Sequence, residues 1–95
     1  MRKVTREAAA AFEAGHNYKN GATQVNQRIG GVELLLHGSI IAKDVGDGLQ
    51  VSLAGWPTVT TRERLNGLPG VCINQAKGVQ YLNGVPIPDD GFVTV

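Results

Sequence analysis

The chain of 95 residues is expected to form one domain, 1–95, because chains divide into several domains only at much greater length. Its hydrophobic fraction of 42% and charged fraction of 18% are typical of globular proteins and exclude a disordered chain. A net charge of +1 excludes a general attraction to DNA or to an anionic membrane, so any nucleic-acid contact must come from a local patch.

The first predicted element is a helix over residues 5–14. Thr5 is placed to cap this helix, the alanines at 8–11 favour helical backbone, and Gly15 is suited to end it in a left-handed turn. The apolar residues fall at helical spacing and predict one narrow stripe that packs on a sheet, made of Val4, Ala8, Ala11 and Phe12. Most of this stripe is alanine, so Phe12 is its expected anchor.

Apolar segments between turn residues predict the strands that follow the helix. Continuous apolar runs indicate burial on both faces and a central position, whereas strict alternation indicates one buried face. The predicted strands are an edge strand at 22–28, central runs at 32–38 and 39–44 that form one strand bent at Gly38 or two strands, and a half-buried strand at 49–53. The intervening turns are expected at 16–21, at Gly30-Gly31 and at 45–48.

The stretch 54–70, AGWPTVTTRERLNGLPG, holds the only tryptophan of the chain and two of its four prolines. Pro57 forces Trp56 into an extended conformation, which excludes a helix at that point. Thr60 followed by Glu63 matches the capping box that begins a helix. The sequence therefore predicts a short capped helix at 60–67, which must be packed down because two turns are unstable alone.

The remaining residues predict hairpins and complete the fold class. Strands are expected at 71–75 and 79–82 around Lys77-Gly78, Asn83-Gly84 is a strong hairpin turn, and a short final strand is expected at 92–95. Pro86 and Pro88 confine the segment between these strands to a sheet edge. The predicted fold is α+β, an antiparallel sheet of about six short strands with the two helices.

Catalytic and metal chemistry find little support in the sequence. His16, His37 and Cys72 lack the paired spacing of a zinc site, and no base or acid is suggested near Ser39 or Ser52. His37 is expected at a strand end, bonded to backbone. We therefore expect no catalytic residues, no metal and no cofactor.

Binding chemistry is concentrated in the predicted helix at 60–67 and the loop before it. Hydroxyls and guanidinium groups near a helix start suit a phosphate or carboxylate, and an indole face suits a stacked ring. The candidate ligand-binding residues are Trp56, Thr58, Thr60, Thr61, Arg62 and Arg64. The alternative is structural: Trp56 in the core, the threonines as caps, and the two arginines on a solvated face, paired with Glu63 or Asp44.

The expected compartment follows from what the chain lacks. The basic N-terminus is followed by no apolar stretch, so no signal peptide is expected, and no run approaches the roughly 18 apolar residues of a membrane helix. Cys72 is the single cysteine, which favours a reducing compartment, and its apolar neighbours predict a buried thiol. We expect a soluble protein of the cytoplasm with no membrane partner.

Several motifs resemble a widespread group of small proteins of tailed bacteriophages. The similar residues are Leu36-His37-Gly38, Ile41-Ala42, Gly55-Trp56, Thr58, Thr60-Thr61-Arg62, Arg64-Leu65-Asn66 and the QYLNG segment, with Phe12, Gly15, Gly21, Thr23 and Val25 upstream. The resemblance covers most of the chain and implies a phage accessory protein of no assigned reaction.

Such an origin implies a non-catalytic protein of the host cytoplasm with a host-modulating or counter-defence role. The expected ligand is a small anionic, nucleotide-like molecule. The alternatives are a small protein that binds single-stranded or duplex nucleic acid and an inhibitor that docks on a host protein. A homo-oligomer is also expected, with seams at 22–28 or 92–95.

Overall fold

A computed structural model describes residues 2–95 of the chain. It contains two helices, α1 (Lys3–Ala14) and α2 (Val59–Leu65). Its strands are β1 (Tyr18–Asn20), β2 (Thr23–Arg28), β3 (Gly31–Leu36), β4 (Ser39–Asp44), β5 (Leu49–Val51), β6 (Ile73–Ala76), β7 (Val79–Leu82), β8 (Val85–Ile87) and β9 (Val93–Thr94). The described part of the chain has no helix of the length and apolarity that crossing a membrane requires.

The strands form two antiparallel sheets, which confirms the predicted α+β class. The larger sheet has six strands in the order β1-β2-β3-β4-β5-β9, and the smaller has three in the order β6-β7-β8. The two apolar runs that were predicted as one bent strand or two are two strands, β3 and β4, joined by a turn at His37-Gly38. The short strand β1 lies in a segment that the sequence predicted as turn.

One prediction about the larger sheet is wrong: the segment 22–28 is not an edge. Its strand β2 pairs with β1 on one side and β3 on the other. The polar turn segment before it supplies the missing neighbour, because its backbone extends over three residues and pairs Tyr18 with Val25. The edges of this sheet are β1 and β9, so the final strand does lie at an edge as predicted.

One hydrophobic core includes residues of the larger sheet, of both helices and of the smaller sheet. Phe12 is buried as predicted, together with inward side chains of the central strands such as Leu34 and Val51. Leu65 and Leu68 at the end of α2 are also buried, which packs down this short helix. Cys72, by contrast, is exposed, so the prediction of a buried thiol is wrong.

The start of α1 differs from the prediction in a way that matters for the site. The helix begins at Lys3 with Arg2 as its N-cap, so Thr5 is inside the helix and buried instead of capping it. Gly15 ends the helix in the left-handed region, φ 68°, as predicted. α1 approaches α2 closely at Gly67, where an added Cβ would lie 2.5 Å from the Thr5 methyl carbon.

Candidate functional site

The helix α2 begins two residues earlier than the capping-box motif predicted. Thr58 is the N-cap, with extended backbone, and its Oγ1 accepts a hydrogen bond of 3.2 Å from the Thr61 amide. Thr60 is therefore the second residue of the helix. Glu63 does not reach back to it, because its carboxylate accepts hydrogen bonds from Arg2 and Thr5 at the start of α1. The tertiary contacts of Glu63 thus leave Thr58, and not the predicted Thr60, as the cap.

Four of the six predicted ligand-binding residues line one cavity of about 450 Å³, which we call the Trp56 cavity. Its walls come from the β3–β4 hairpin, the residues after β5 and the first turn of α2. The lining residues are Leu36, His37, Ser39, Ile41, Leu53, Ala54, Trp56, Thr58, Thr60 and Thr61. The structure thus brings Trp56 and the three threonines together, and adds His37 and Ser39, which the sequence had not assigned to the site.

The indole of Trp56 is not a core side chain, since 65% of the residue is exposed. A tight turn holds it at the cavity: its backbone amide donates to the Leu53 carbonyl at 2.8 Å, and the Gly55 amide donates to Asp89 at 2.8 Å. Ala54 adopts φ 55° in this turn, a conformation that alanine rarely takes. An aromatic face is therefore available at the rim of the cavity.

Arg62 lies beside the cavity and is not among its lining residues. Its Nη1 donates to the Pro57 carbonyl at 2.8 Å, to Gln75 at 2.9 Å and to Gln80 at 3.1 Å. All three acceptors are neutral, and no carboxylate of residues 2–95 pairs with this guanidinium, so the predicted alternative of Glu63 or Asp44 as partner is wrong for Arg62. The predicted pairing with Glu63 is found at Arg64 instead. Arg62 ties the loop before α2 to the smaller sheet and keeps its positive charge unpaired.

Arg64 is placed differently from the prediction. It is only 8% exposed, with Nε donating to Thr23 at 3.0 Å and Nη1 donating to Thr5 at 3.0 Å. The same nitrogen also forms an ion pair with Glu63. Arg64 therefore joins α1, α2 and β2 in the interior, and its donors are used by the protein itself. The helix periodicity explains the placement, since residues 62 and 64 point to different sides of α2.

Glu63 completes this interior group. Burial by itself would raise the pKa of its carboxyl, but hydrogen bonds from Thr5 and from the Arg2 amide, with the charge of Arg64, outweigh it and lower the pKa below its ordinary value. We call Thr5, Thr23, Glu63 and Arg64 the interior polar cluster. It holds the last turn of α2 against α1 and β2, whereas the cavity is lined by the N-cap and the first turn of this helix.

Three side chains of the cavity that can both donate and accept a hydrogen bond have no partner within residues 2–95: His37, Ser39 and Thr60. The hydroxyls of Thr58 and Thr61, by contrast, lie 3.1 Å apart and bond to each other. His37 occupies the first position of the β3–β4 turn with φ 52°, and its backbone amide donates to Ala22 at 2.9 Å. The signal that could have pointed to the site was the His-Gly turn, which presents a side chain at a sheet end.

No set of three or more His, Cys, Asp or Glu side chains in the described chain is arranged to hold a metal ion. The chemistry that this site offers is that of a mostly apolar cavity with an aromatic rim and a few neutral polar groups. Such an arrangement is suited to binding.

Comparison with known protein families gives a match that covers nearly the whole chain. The family described as Kyanoviridae Gp96 protein matches residues 1–93. No curated protein and no solved structure matches. The match agrees with the phage origin that the motifs implied, and it assigns no activity. The chain therefore belongs to the Kyanoviridae Gp96 protein family of bacteriophages.

Proposed function

We propose that this protein is a non-catalytic phage accessory protein that binds an anionic, nucleotide-like ligand at the Trp56 cavity. In the host cytoplasm, such binding would sequester a nucleotide signal or modulate a host process. The observation that carries the proposal is the exposed indole beside a cavity of about 450 Å³. Cavities of roughly 300–1,000 Å³ with apolar walls and a few polar groups are typical of small-molecule sites.

The ring of the ligand is matched by the cavity walls. Leu36, Ile41 and Leu53 provide apolar surface, and the indole of Trp56 provides a flat face at the rim. Stacking a base on an aromatic side chain contributes about 1–3 kcal/mol and tolerates any base, because every base has a π face. A planar ring is therefore the part of a ligand that this cavity favours.

The anionic group is matched by Arg62, outside the cavity. The carbonyl to which Arg62 is bonded belongs to Pro57, which lies between the lining residues Trp56 and Thr58. Its Nε and Nη2 donate to no group within residues 2–95. A phosphate attached to a ring at the rim can accept from these donors, and such charge-assisted bonds are about twice as strong as neutral ones.

The proposal is tested by titrating the protein with nucleosides and with their 5′-monophosphates. Trp56 is the only tryptophan, so its fluorescence reports on this site alone. Arg62→Gln is expected to weaken nucleotide binding by about 1.5–3 kcal/mol, as loss of a charge-assisted bond does, and to leave nucleoside binding unchanged. Arg28→Gln is the matched control, because Arg28 is exposed and paired with Glu33.

A protein whose fluorescence and heat of binding respond to no nucleoside or nucleotide would overturn the proposal. Equal nucleotide affinity in Arg62→Gln and the parent would show that Arg62 does not bind the anionic group of the ligand. The parallel nucleoside titration shows whether the loop itself has moved, since Arg62 also holds the Pro57 carbonyl.

A host protein as partner is the second candidate. Val59 is 72% exposed and lies three residues before Arg62 on the same side of α2, near the exposed Trp56. Exposed tryptophan and arginine are enriched among the residues that dominate protein interfaces. Binding to a host protein that persists when the Trp56 cavity is blocked by a covalent adduct or a bulky side chain would support this candidate over the first.

Nucleic-acid binding and self-association remain predictions for this protein. A nucleic-acid complex at the same surface would lose affinity steeply with salt, which a titration at several salt concentrations measures. A homo-oligomer that pairs through sheet edges has only β1 and β9 available in the larger sheet, with three and two residues. Native mass spectrometry of protein from infected cells reports its mass and any bound small molecule.

A further inference from the structure

The Trp56 cavity contains polar groups that the proposed function does not yet use. His37, Ser39 and Thr60 line it and have no hydrogen-bond partner within residues 2–95. Each of these three side chains can both donate and accept a hydrogen bond when the imidazole is neutral. No lysine, arginine, aspartate or glutamate lines the cavity.

We infer that His37 and Ser39, assisted by Thr60, recognise the polar edge of a neutral nucleobase ring inside the cavity. This inference rests on the proposed function and deepens it. A ring edge with alternating donors and acceptors matches neutral groups that offer both, whereas a phosphate inside the cavity would meet no positive charge. The anion is accordingly outside, toward Arg62, and the base edge is inside.

The backbone holds His37 firmly enough for this role. It occupies a two-residue turn between β3 and β4, where Leu36 pairs with Ser39. Its amide donates to the Ala22 carbonyl in the turn between β1 and β2, so two adjacent hairpins fix its position. Sites built on rigid elements recognise a ligand edge more precisely than sites on mobile loops.

The inference is tested with the four common nucleosides, each paired with a neutral analogue methylated at the pairing edge. The methyl group is on N3 of uridine and on N1 of guanosine, and the exocyclic amine is dimethylated in adenosine and cytidine. Affinity is measured by Trp56 fluorescence. The parent protein is expected to bind its preferred nucleoside at least tenfold more tightly than the methylated analogue. His37→Gly and Ser39→Ala are each expected to reduce affinity for the unmethylated nucleoside about 5- to 10-fold, which corresponds to one lost hydrogen bond.

Glycine is the chosen replacement for His37 because it adopts φ 52° without strain. Lys77→Gly is the matched control: Lys77 has φ 51°, precedes Gly78 in an equivalent hairpin turn, and does not line the cavity. It is expected to bind like the parent.

The outcomes separate this inference from the proposed function. Equal affinity for methylated and unmethylated nucleosides, or variants that bind like the parent, would overturn the roles of His37 and Ser39 while ligand binding stands. A parent protein that binds no nucleoside or nucleotide would overturn both.

Discussion

Two threonines in the first turn of α2 have different roles although they are two residues apart. Thr58 caps the helix through its Oγ1, while Thr60 lines the cavity and its hydroxyl bonds to no group within residues 2–95. Thr58→Ala is therefore expected to lower the free energy of unfolding by about 1 kcal/mol, the usual value of a helix cap. Thr60→Ala is expected to change it by less than about 0.5 kcal/mol. Urea unfolding of the two variants measures both values.

This pair also shows how far the sequence could locate the cap. Thr60 is followed three residues later by Glu63, which matches the capping box, whereas Thr58 is followed by Thr61, which does not. The local pattern favoured Thr60, because in a capping box the glutamate side chain also bonds the backbone amide of the cap residue. The choice depends on Thr5, which attracts Glu63 from 58 positions away. Equal destabilisation by the two alanine variants would contradict the observed cap.

The junction of α1 and α2 depends on a charged residue, so its stability depends on pH. The pKa of Glu63 in the folded protein lies below its ordinary value of 4.5, so ionised Glu63 stabilises the fold above that pH. This contribution is lost as pH falls through the lowered pKa. Glu63→Gln is expected to be about 1–2 kcal/mol less stable than the parent at pH 7, through loss of charge-assisted bonds. The difference narrows below pH 4.5, which urea unfolding from pH 7 to pH 3 measures.

Glu33→Gln is the matched control for this pH series. Glu33 forms an ion pair with Arg28 at the sheet surface, where such pairs contribute little. Its stability difference from the parent should be small at every pH. A Glu63→Gln variant whose deficit is constant from pH 7 to pH 3 would show that the Glu63 charge does not stabilise the folded state.

At the scale of elements, the sequence predicted the positions of turns well, but it did not predict which polar residues are buried. The hairpin at Asn83-Gly84 and the helix end at Gly15 followed directly from residues that tolerate left-handed backbone. The strand β1 was missed, since two of its three residues are polar and three positions are too few to show alternation. The burial of Thr5 and Arg64 could not be predicted, because each is polar and finds its partners only after α1, α2 and β2 meet.

The whole molecule contains two sheets, and the sequence predicted only one. Hairpin signals alone cannot show whether successive hairpins extend one sheet or begin another, because both arrangements use the same local pairs. In the structure, α2 follows the first five strands of the larger sheet and precedes the smaller sheet, and the chain then returns to the larger sheet with β9. The candidate site could likewise be predicted only in part. The residues near Trp56 follow from the local pattern, whereas His37 and Ser39 are distant in sequence and reach the cavity only in the folded chain.

Asn66, at the end of α2, connects the smaller sheet to the rest of the molecule. Its side chain accepts from the Ile73 amide at 2.6 Å and donates to the Ile73 carbonyl at 3.0 Å, as a neighbouring strand would. Asn66→Ala leaves the amide and the carbonyl of the buried Ile73 unpaired. We expect this to lower the free energy of unfolding by about 2–4 kcal/mol. Hydrogen exchange should accelerate in β6 and β7 more than in β3 and β4, because the two lost hydrogen bonds belong to the smaller sheet.

Asn74→Ala provides the control for this last prediction. Asn74 is an exposed asparagine of β6, next to Ile73, and its side chain has no hydrogen-bond partner within residues 2–95. Its removal should leave both sheets protected, since no backbone group loses a partner. If Asn66→Ala instead raises exchange equally in both sheets, the molecule opens as a single cooperative unit. In that case the smaller sheet, with the Gln75 and Gln80 contacts that hold Arg62, could not loosen independently of the Trp56 cavity.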